Sequence, residues 1–372
     1  MTTKTKFDGA MLSDPYKLED GFYIAYTGCR TTRERNARGN GINVYVVTRQ
    51  SGEWNLIQSL DGLVNPSFLT IDEKRSVLYS VHGDSSEISS YRINPHSGQI
   101  TPLNTVQTGG KNPVHLAIDP TGKFMVVPNH ISSNIAVIAI NADGSLGKMT
   151  DLHTLDAKPG PHRVEQPFPK PHQTEFDPTG RLIAVPDKGA DLIWSFHLST
   201  EGKLIPAPVS STPTREGAGP RHIAFHKTQP LAYVVNELDS TVTAYHYDEM
   251  SGRFSPFQVI TTLPETFTGN NRASEIAISY EGNFVYASNR GSETLCIYSI
   301  NPESGMLREV NNIDSLGRTP RFFTEDPTGK YLYVANEDSD NIVTFSISGG
   351  QARPTGQVTH TGSPVCIMFF GA

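Results

Sequence analysis

Along most of this chain, short apolar runs rich in Val, Ile, Tyr and Phe alternate with tight clusters of Gly, Pro, Asp and Asn. β-branched and aromatic residues fill the runs, and none keeps the 3.6-residue period of a helix. The stretch Gly219–Tyr245 shows the unit plainly. It predicts three strands, Arg221–Phe225, Leu231–Val235 and Thr241–Tyr245, with charged or amide residues at their mouths.

Near-copies of this unit recur. Their strand-opening positions are Pro66, Pro113, Pro171, Pro220, Ala273, Pro320 and Pro364, at intervals of 47, 58, 49, 53, 47 and 44 residues. Asp-Pro-Thr-Gly follows at Asp119–Gly122, Asp177–Gly180 and Asp326–Gly329. It is a turn in which Pro presets φ and Gly accepts positive φ. Four strands per repeat at this period predict an all-β, seven-bladed β-propeller with four antiparallel strands per blade. The last repeat stops after one strand, Val365–Phe370, while three unpartnered strands (Phe22–Tyr26, Ile42–Val47, Trp54–Leu60) stand at the N-terminus. Pairing these two ends would close the ring and remove its open edge.

In such a ring, the starts of first strands and the ends of second strands meet at one mouth of the central channel. Just after the openers stand His172, Arg221 and Arg321, and one residue further His115, His222 and Glu275. The second strands exit at Asn129, Asp187, Asn236, Asn289 and Asn336, followed by His130, Lys188, Glu237, Arg290 and Glu337. Repeated Asn suits a turn cap; varied charge beside it suits a substrate-reading pocket or a solvated rim. Two insertions share this face. Asp156–Lys170 brings Arg163, Glu165 and Gln166, and the long turn after Tyr26 brings Arg30, Arg33, Arg35 and Arg38. Long loops on one face of a rigid scaffold usually shape a binding site. Four Arg in such a loop are most simply solvated; the alternative is a lid that recruits a carboxylate or phosphate, with Arg30 and Arg35 as candidate contacts.

Composition narrows the field. The net charge of −7 argues against a nucleic-acid partner. The cysteines Cys29, Cys296 and Cys366 lack metal or redox spacing and read as small buried hydrophobes. No apolar run reaches signal-peptide or membrane-span length, so a cytoplasmic location and no membrane partner are expected. Residues 1–20 are expected to form a flexible tail before a single domain at 21–372. One closed ring needs no partner for stability, so a monomer is a workable state.

The segments KPHQTEFDPTG (170–180), GAGPRHIAFH (217–226), VNELDSTV (235–242), NNRASEI (270–276) and SNRG (288–291) resemble the seven-bladed propeller lactonases. That family includes propeller-type 6-phosphogluconolactonase and carboxy-cis,cis-muconate cyclase. The resemblance runs from about Phe22 to Phe370. It implies a metal-independent hydrolase of carbohydrate metabolism, without cofactor, acting on an anionic lactone. A His, two Arg and a Glu implicated in the cyclase branch would fall on His172, Arg221, Glu237 and Arg290. Arg30, Arg35, His115, His130, Arg163, Gln166, Lys188, Glu275 and Arg321 would line the substrate.

Opening a cyclic ester needs a base for water, donors for the oxyanion and an acid for the leaving alkoxide. Glu237 or neutral His172 can be the base. Arg221 and Arg290 can be the oxyanion donors or can hold a substrate carboxylate. No G-x-S-x-G elbow offers a serine nucleophile. Three alternatives stay open: a lactonising cycloisomerase using the same residues, a non-catalytic propeller that binds proteins, and an oxygen-ligated Ca²⁺ site on Asn129, Asn236, Asn289, Asp187 and Glu237.

Overall fold

The computed structural model describes residues 21–371, and the tail expected over residues 1–20 lies outside them. The described residues form seven four-stranded antiparallel sheets. Blade 1 combines the C-terminal strand Pro364–Phe370, innermost, with Phe22–Cys29, Gly41–Thr48 and Trp54–Asp61. Blades 2 to 7 each use four consecutive strands, the first innermost. Inner strands of neighbouring blades touch one another around the axis.

Local chemistry explains the repeat. In each Asp-Pro-Thr-Gly turn the Asp carboxylate accepts from backbone N–H groups on the far side. Asp119 Oδ1 takes those of Lys123 (2.7 Å) and Phe124 (2.6 Å), and Asp177 and Asp326 repeat the pattern. The glycines adopt φ of +69°, +71° and +67° at Gly122, Gly180 and Gly329, a region other residues enter at a cost. The Asn residues at the strand exits cap turns and tie blades together. Asn129 Oδ1 accepts from Thr108 Oγ1 at 2.7 Å, and Asn289 Oδ1 from Thr262 Oγ1 at 2.7 Å.

One irregularity positions the site. Inner strands are bulged just after their openers: Pro220 pairs with Asn236 but His222 with Val235, leaving Arg221 outside the ladder. Arg321, between Pro320 and Phe322, is displaced the same way, as is Val365. In blades 3 and 4 the openers Pro113 and Pro171 make isolated bridges before the strand resumes. An extra residue on one strand re-aims a side chain, here into the channel.

The ring closes through Ile24 opposite Phe370, Tyr26 opposite Met368 and Gly28 opposite Cys366. Tyr23 of blade 1 and Tyr333 of blade 7 share a hydrogen bond of 3.1 Å between buried hydroxyls, and Trp54 packs edge-on against Tyr333 at 5.0 Å. The first N-terminal strand runs to Cys29, three residues past the expected end, so the inserted turn is shorter and better anchored than sequence implied.

Ile367 is 1% exposed in the closing strand, whereas Val358 on the outer strand of blade 7 is 46% exposed. Ile367→Ala is expected to cost ~2–5 kcal/mol of unfolding free energy, and Val358→Ala less than about 0.5 kcal/mol. Urea denaturation of the two variants checks the difference.

Candidate active site

All seven blades contribute to one pocket at the mouth of the channel. Its wall carries His172, Arg221, His222 and Glu275 from blades 4 to 6. Arg321 and Phe322 of blade 7, Arg30 and Val365 of blade 1, Ser67 and Phe68 of blade 2 and Val114 of blade 3 complete it. The cavity is narrow, with a volume of about 20 Å³. A sugar-sized ligand must therefore displace side chains to enter. A larger groove of about 640 Å³ lies beside it, bounded by Arg38, Glu293, Arg318 and Asp338–Asp340. None of the four residues implied to be catalytic lines it, and Arg38 there is already paired with Asp340.

Behind the pocket wall sits Glu237, 3% exposed, at the exit of the second strand of blade 5. Its Oε2 faces Arg290 Nη2 at 3.2 Å and Arg221 Nε at 3.3 Å, and its Oε1 accepts from Lys188 Nζ at 3.0 Å. Arg272 approaches at 3.7 Å. Burial alone would raise the carboxyl's pKa, but Arg290, Lys188 and Arg221 outweigh it and hold Glu237 well below the usual carboxylate range. Lys188 also donates to Glu165 in the Asp156–Lys170 insertion at 3.0 Å, and Arg272 pairs with the same carboxylate. That insertion is thereby pinned over the site.

Arg221 and Arg290 are fixed from a second side. Arg221 Nη1 donates to the Ser274 carbonyl at 2.6 Å, and Arg290 Nη2 to that of Ala273 at 3.0 Å. The Nε atoms of both are buried without a hydrogen-bond partner. Burial and the charges of Arg290 and Arg321 lower Arg221 to about 9, which leaves it charged at neutral pH.

The imidazoles form a chain. His222 Nδ1 lies 2.9 Å from Glu275 Oε1, and His222 Nε2 lies 3.2 Å from His172 Nδ1. A carboxylate accepts only, so neutral His222 carries its proton on Nδ1 and must accept at Nε2. His172 then carries its proton on Nδ1, leaving Nε2 as a free acceptor. Burial, then Arg221 and His222, hold His172 well below its ordinary value and therefore neutral.

Other sequence-selected residues divide. His130 meets His172 edge-on at 5.2 Å, and its Nδ1 is 3.2 Å from the Pro171 carbonyl. His115 packs against Phe68 of the pocket wall, with the rings tilted and their centroids 4.0 Å apart. Gln166 serves the insertion itself, donating to the Lys188 carbonyl at 2.8 Å and accepting from His162 N–H at 3.1 Å. Arg163 is exposed on that loop, away from the pocket wall. The Arg-rich loop, weighed as solvated or as a lid, is a fastened strap: Arg35 is bound to Asp84 and Arg38 to Asp340, and only Arg30 enters the pocket. Arg272 and Glu165 were missed as site residues; the first precedes an opener and the second lies in an insertion, so neither occupies a repeated position. The residues weighed for Ca²⁺ are engaged elsewhere. Asp187 accepts from three backbone N–H groups and Trp194 Nε1, and Asn236 donates to Thr241 and Thr243.

A ring of bulged inner strands that gathers buried guanidiniums, imidazoles and a carboxylate at its axis defines a propeller with a small-molecule site in the channel mouth. The chain belongs to a known family of that class: the model for the lactonase, 7-bladed beta-propeller family matches residues 24–369. It is 31% identical over 355 residues to a 6-phosphogluconolactonase of Bacillus subtilis, covering 93% of this chain and 98% of the relative. Two solved structures superpose with a TM-score of 0.87. One is a putative 6-phosphogluconolactonase from Bacteroides fragilis, 26% identical, covering 96% of this chain and 99% of that one. The other is a Pseudomonas aeruginosa periplasmic gluconolactonase, 28% identical, covering 94% and 99%. Among the described residues no helix is long and apolar enough to cross a membrane.

Burial and the charge of Lys188 lower His130 to about 3. Unfolded, this histidine binds a proton below about pH 6.5; folded, it does not until about pH 3. Stability therefore rises with pH through that window. His130→Gln is expected to make the slope of unfolding free energy between about pH 4 and 6 shallower by ~1.4 kcal/mol per pH unit. Urea midpoints at several pH values measure it, and equal slopes would contradict the assignment.

Proposed function

We propose that this protein is a lactonase that opens a sugar-acid lactone, of the aldono- or 6-phosphoglucono-type, by attack of a water that His172 activates. The observation that carries this reading is the neutral, relay-held His172 sharing the pocket wall with Arg221, while Glu237 and Arg290 sit behind that wall and fix the Arg221 guanidinium. His172 Nε2 takes a proton from water as its oxygen bonds to the lactone carbonyl carbon. The charge that develops on the carbonyl oxygen falls to Arg221 and Arg290, whose Nε–H groups make no hydrogen bond at rest, although Arg221 Nε faces Glu237 at 3.3 Å. Collapse breaks the ring C–O bond, and the imidazolium returns its proton to the leaving alkoxide. Water is consumed and a hydroxy acid is released.

Glu237 is a poor base in this setting, because three cations hold its proton affinity far down. Its role is to anchor: without it, Arg221, Arg290 and Lys188 would repel one another in a desolvated space. The reading is supported by family membership and by relatives described as 6-phosphogluconolactonase and gluconolactonase.

Proton release on adding glucono-δ-lactone, its 6-phosphate or carboxymuconolactone tests both the activity and the substrate class. Arg290→Ala is expected to lower kcat ~10²–10³-fold on the active lactone, and His172→Gln ~10²–10⁴-fold, with circular dichroism and melting unchanged in form. A folded Arg290→Ala or His172→Gln protein that turns over within threefold of the parent would refute these catalytic roles. Turnover of the muconolactone alone would move the chain to the cycloisomerising chemistry.

A further inference from the structure

The pocket wall has a second cationic centre. Arg30 follows the first N-terminal strand of blade 1, and Arg321 occupies the bulge of blade 7. In a seven-membered ring these blades lie across the axis from blade 4, which carries His172. Both guanidiniums turn toward Glu337, but loosely: Arg30 Nε is 3.4 Å from its Oε1 and Arg321 Nη1 is 3.6 Å from its Oε2. Arg30 Nη1 stands 3.8 Å from Asp84 Oδ2 and, though buried, has no hydrogen-bond partner. Asp84 itself is committed to Arg35. Glu237 holds its two arginines slightly closer, at 3.2 and 3.3 Å, and adds a 3.0 Å hydrogen bond from Lys188 that Glu337 has no counterpart for among these contacts. Room for Arg30 is kept by Gly83, where an added Cβ would lie 3.4 Å from Nη1 and 2.8 Å from Ser67 Oγ.

Arg30, Arg221 and Arg321 thus face the pocket against the single wall carboxylate of Glu275. Burial and the charge of Arg321 lower Arg30 to about 9, with Glu337 and Asp84 opposing the shift, so two mutually repelling guanidiniums share the one carboxylate of Glu337. We propose that Arg30 and Arg321, with the Ser67 hydroxyl between them and blade 3, form a binding station for the phosphate of a phosphorylated sugar lactone, opposite the His172 centre. Planar guanidiniums suit bidentate contact with phosphate oxygens. The loose pairs to Glu337 are the contacts that an arriving dianion would exchange, opening the narrow pocket as it seats. This rests on the lactonase reading for the identity of the rest of the ligand, but not for the anion site itself.

The experiment has a kinetic arm and a binding arm, run on Arg30→Ala and on Arg321→Gln, whose side chain is 19% exposed and tolerates change better. The ratio of kcat/KM for 6-phosphogluconolactone over gluconolactone is expected to fall at least ~30-fold in each. Calorimetric titration with 6-phosphogluconate and with inorganic phosphate is expected to show binding to the parent and a matching loss in the variants. An unchanged ratio, within threefold, in a folded Arg321→Gln protein overturns the station. Phosphate binding that is lost in the variants, on a parent that opens no lactone, upholds the station and fails the lactonase reading instead.

Discussion

A single buried carboxylate organises the functional half of this molecule. Glu237 draws Lys188 from blade 4, Arg221 from its own blade and Arg290 from blade 6 onto two oxygen atoms. Bringing four charges out of water costs several kcal/mol per ion, and their mutual attraction returns that only with good geometry. The bulged inner strand and the two carbonyls that hold the guanidiniums supply the geometry. Such a cluster adds little to net stability compared with apolar packing. What it provides is a fixed arrangement of donors, which in the proposed chemistry would meet the charge that develops on the lactone carbonyl oxygen.

The propeller makes that arrangement tolerable. Each blade buries its own apolar face against the next, so the ring is stable without help from the axis. Positions at the channel mouth are then free to carry charge, strain and unpaired donors. Phe68 and Phe322 show the boundary: both line the same pocket as Arg30 and Arg221, yet they pack toward His115 and one another below. Two poles result. Blades 4 to 6 hold imidazole, guanidinium and carboxylate in close contact, and blades 7 and 1 hold two guanidiniums on the single carboxylate of Glu337 at 3.4 and 3.6 Å.

Much of this was legible in the sequence because the repeat is a physical constraint. Pro or Ala at each opener, Asp-Pro-Thr-Gly and the exit Asn each perform one structural job, so departures beside them stood out as chemistry. Arg221, Glu237 and Arg290 were placed together at the channel mouth that way, their proposed roles coming from the family resemblance, and closure of the ring by Val365–Phe370 followed from the same repeat. Residues outside the repeated register were not. Glu165 and Arg272 complete the Glu237 network from an insertion and from the residue before an opener, and no periodicity marks them. The anchoring of the Arg-rich loop was hidden for a related reason: Asp84 and Asp340, which fasten Arg35 and Arg38, are 49 and 302 residues away along the chain. Distance in sequence hid the partners that fasten this loop and leave Arg30 alone of its arginines in the pocket wall. The choice between Glu237 and His172 as base was also beyond sequence, since it turns on which atoms of His172, His222 and Glu275 face each other.

Two poles in one pocket, each binding one end of a single anionic ligand, are the feature on which the proposed chemistry depends. A crystal structure with 6-phosphogluconate, the ring-opened acid, tests it most directly. The carboxylate is expected within hydrogen-bond reach of Arg221, Arg290 and His172 Nε2, with the phosphate on Arg30 and Arg321. A ligand bound in the groove beside Arg318, or lodged in the pocket with its phosphate on the Glu237 side, would contradict it.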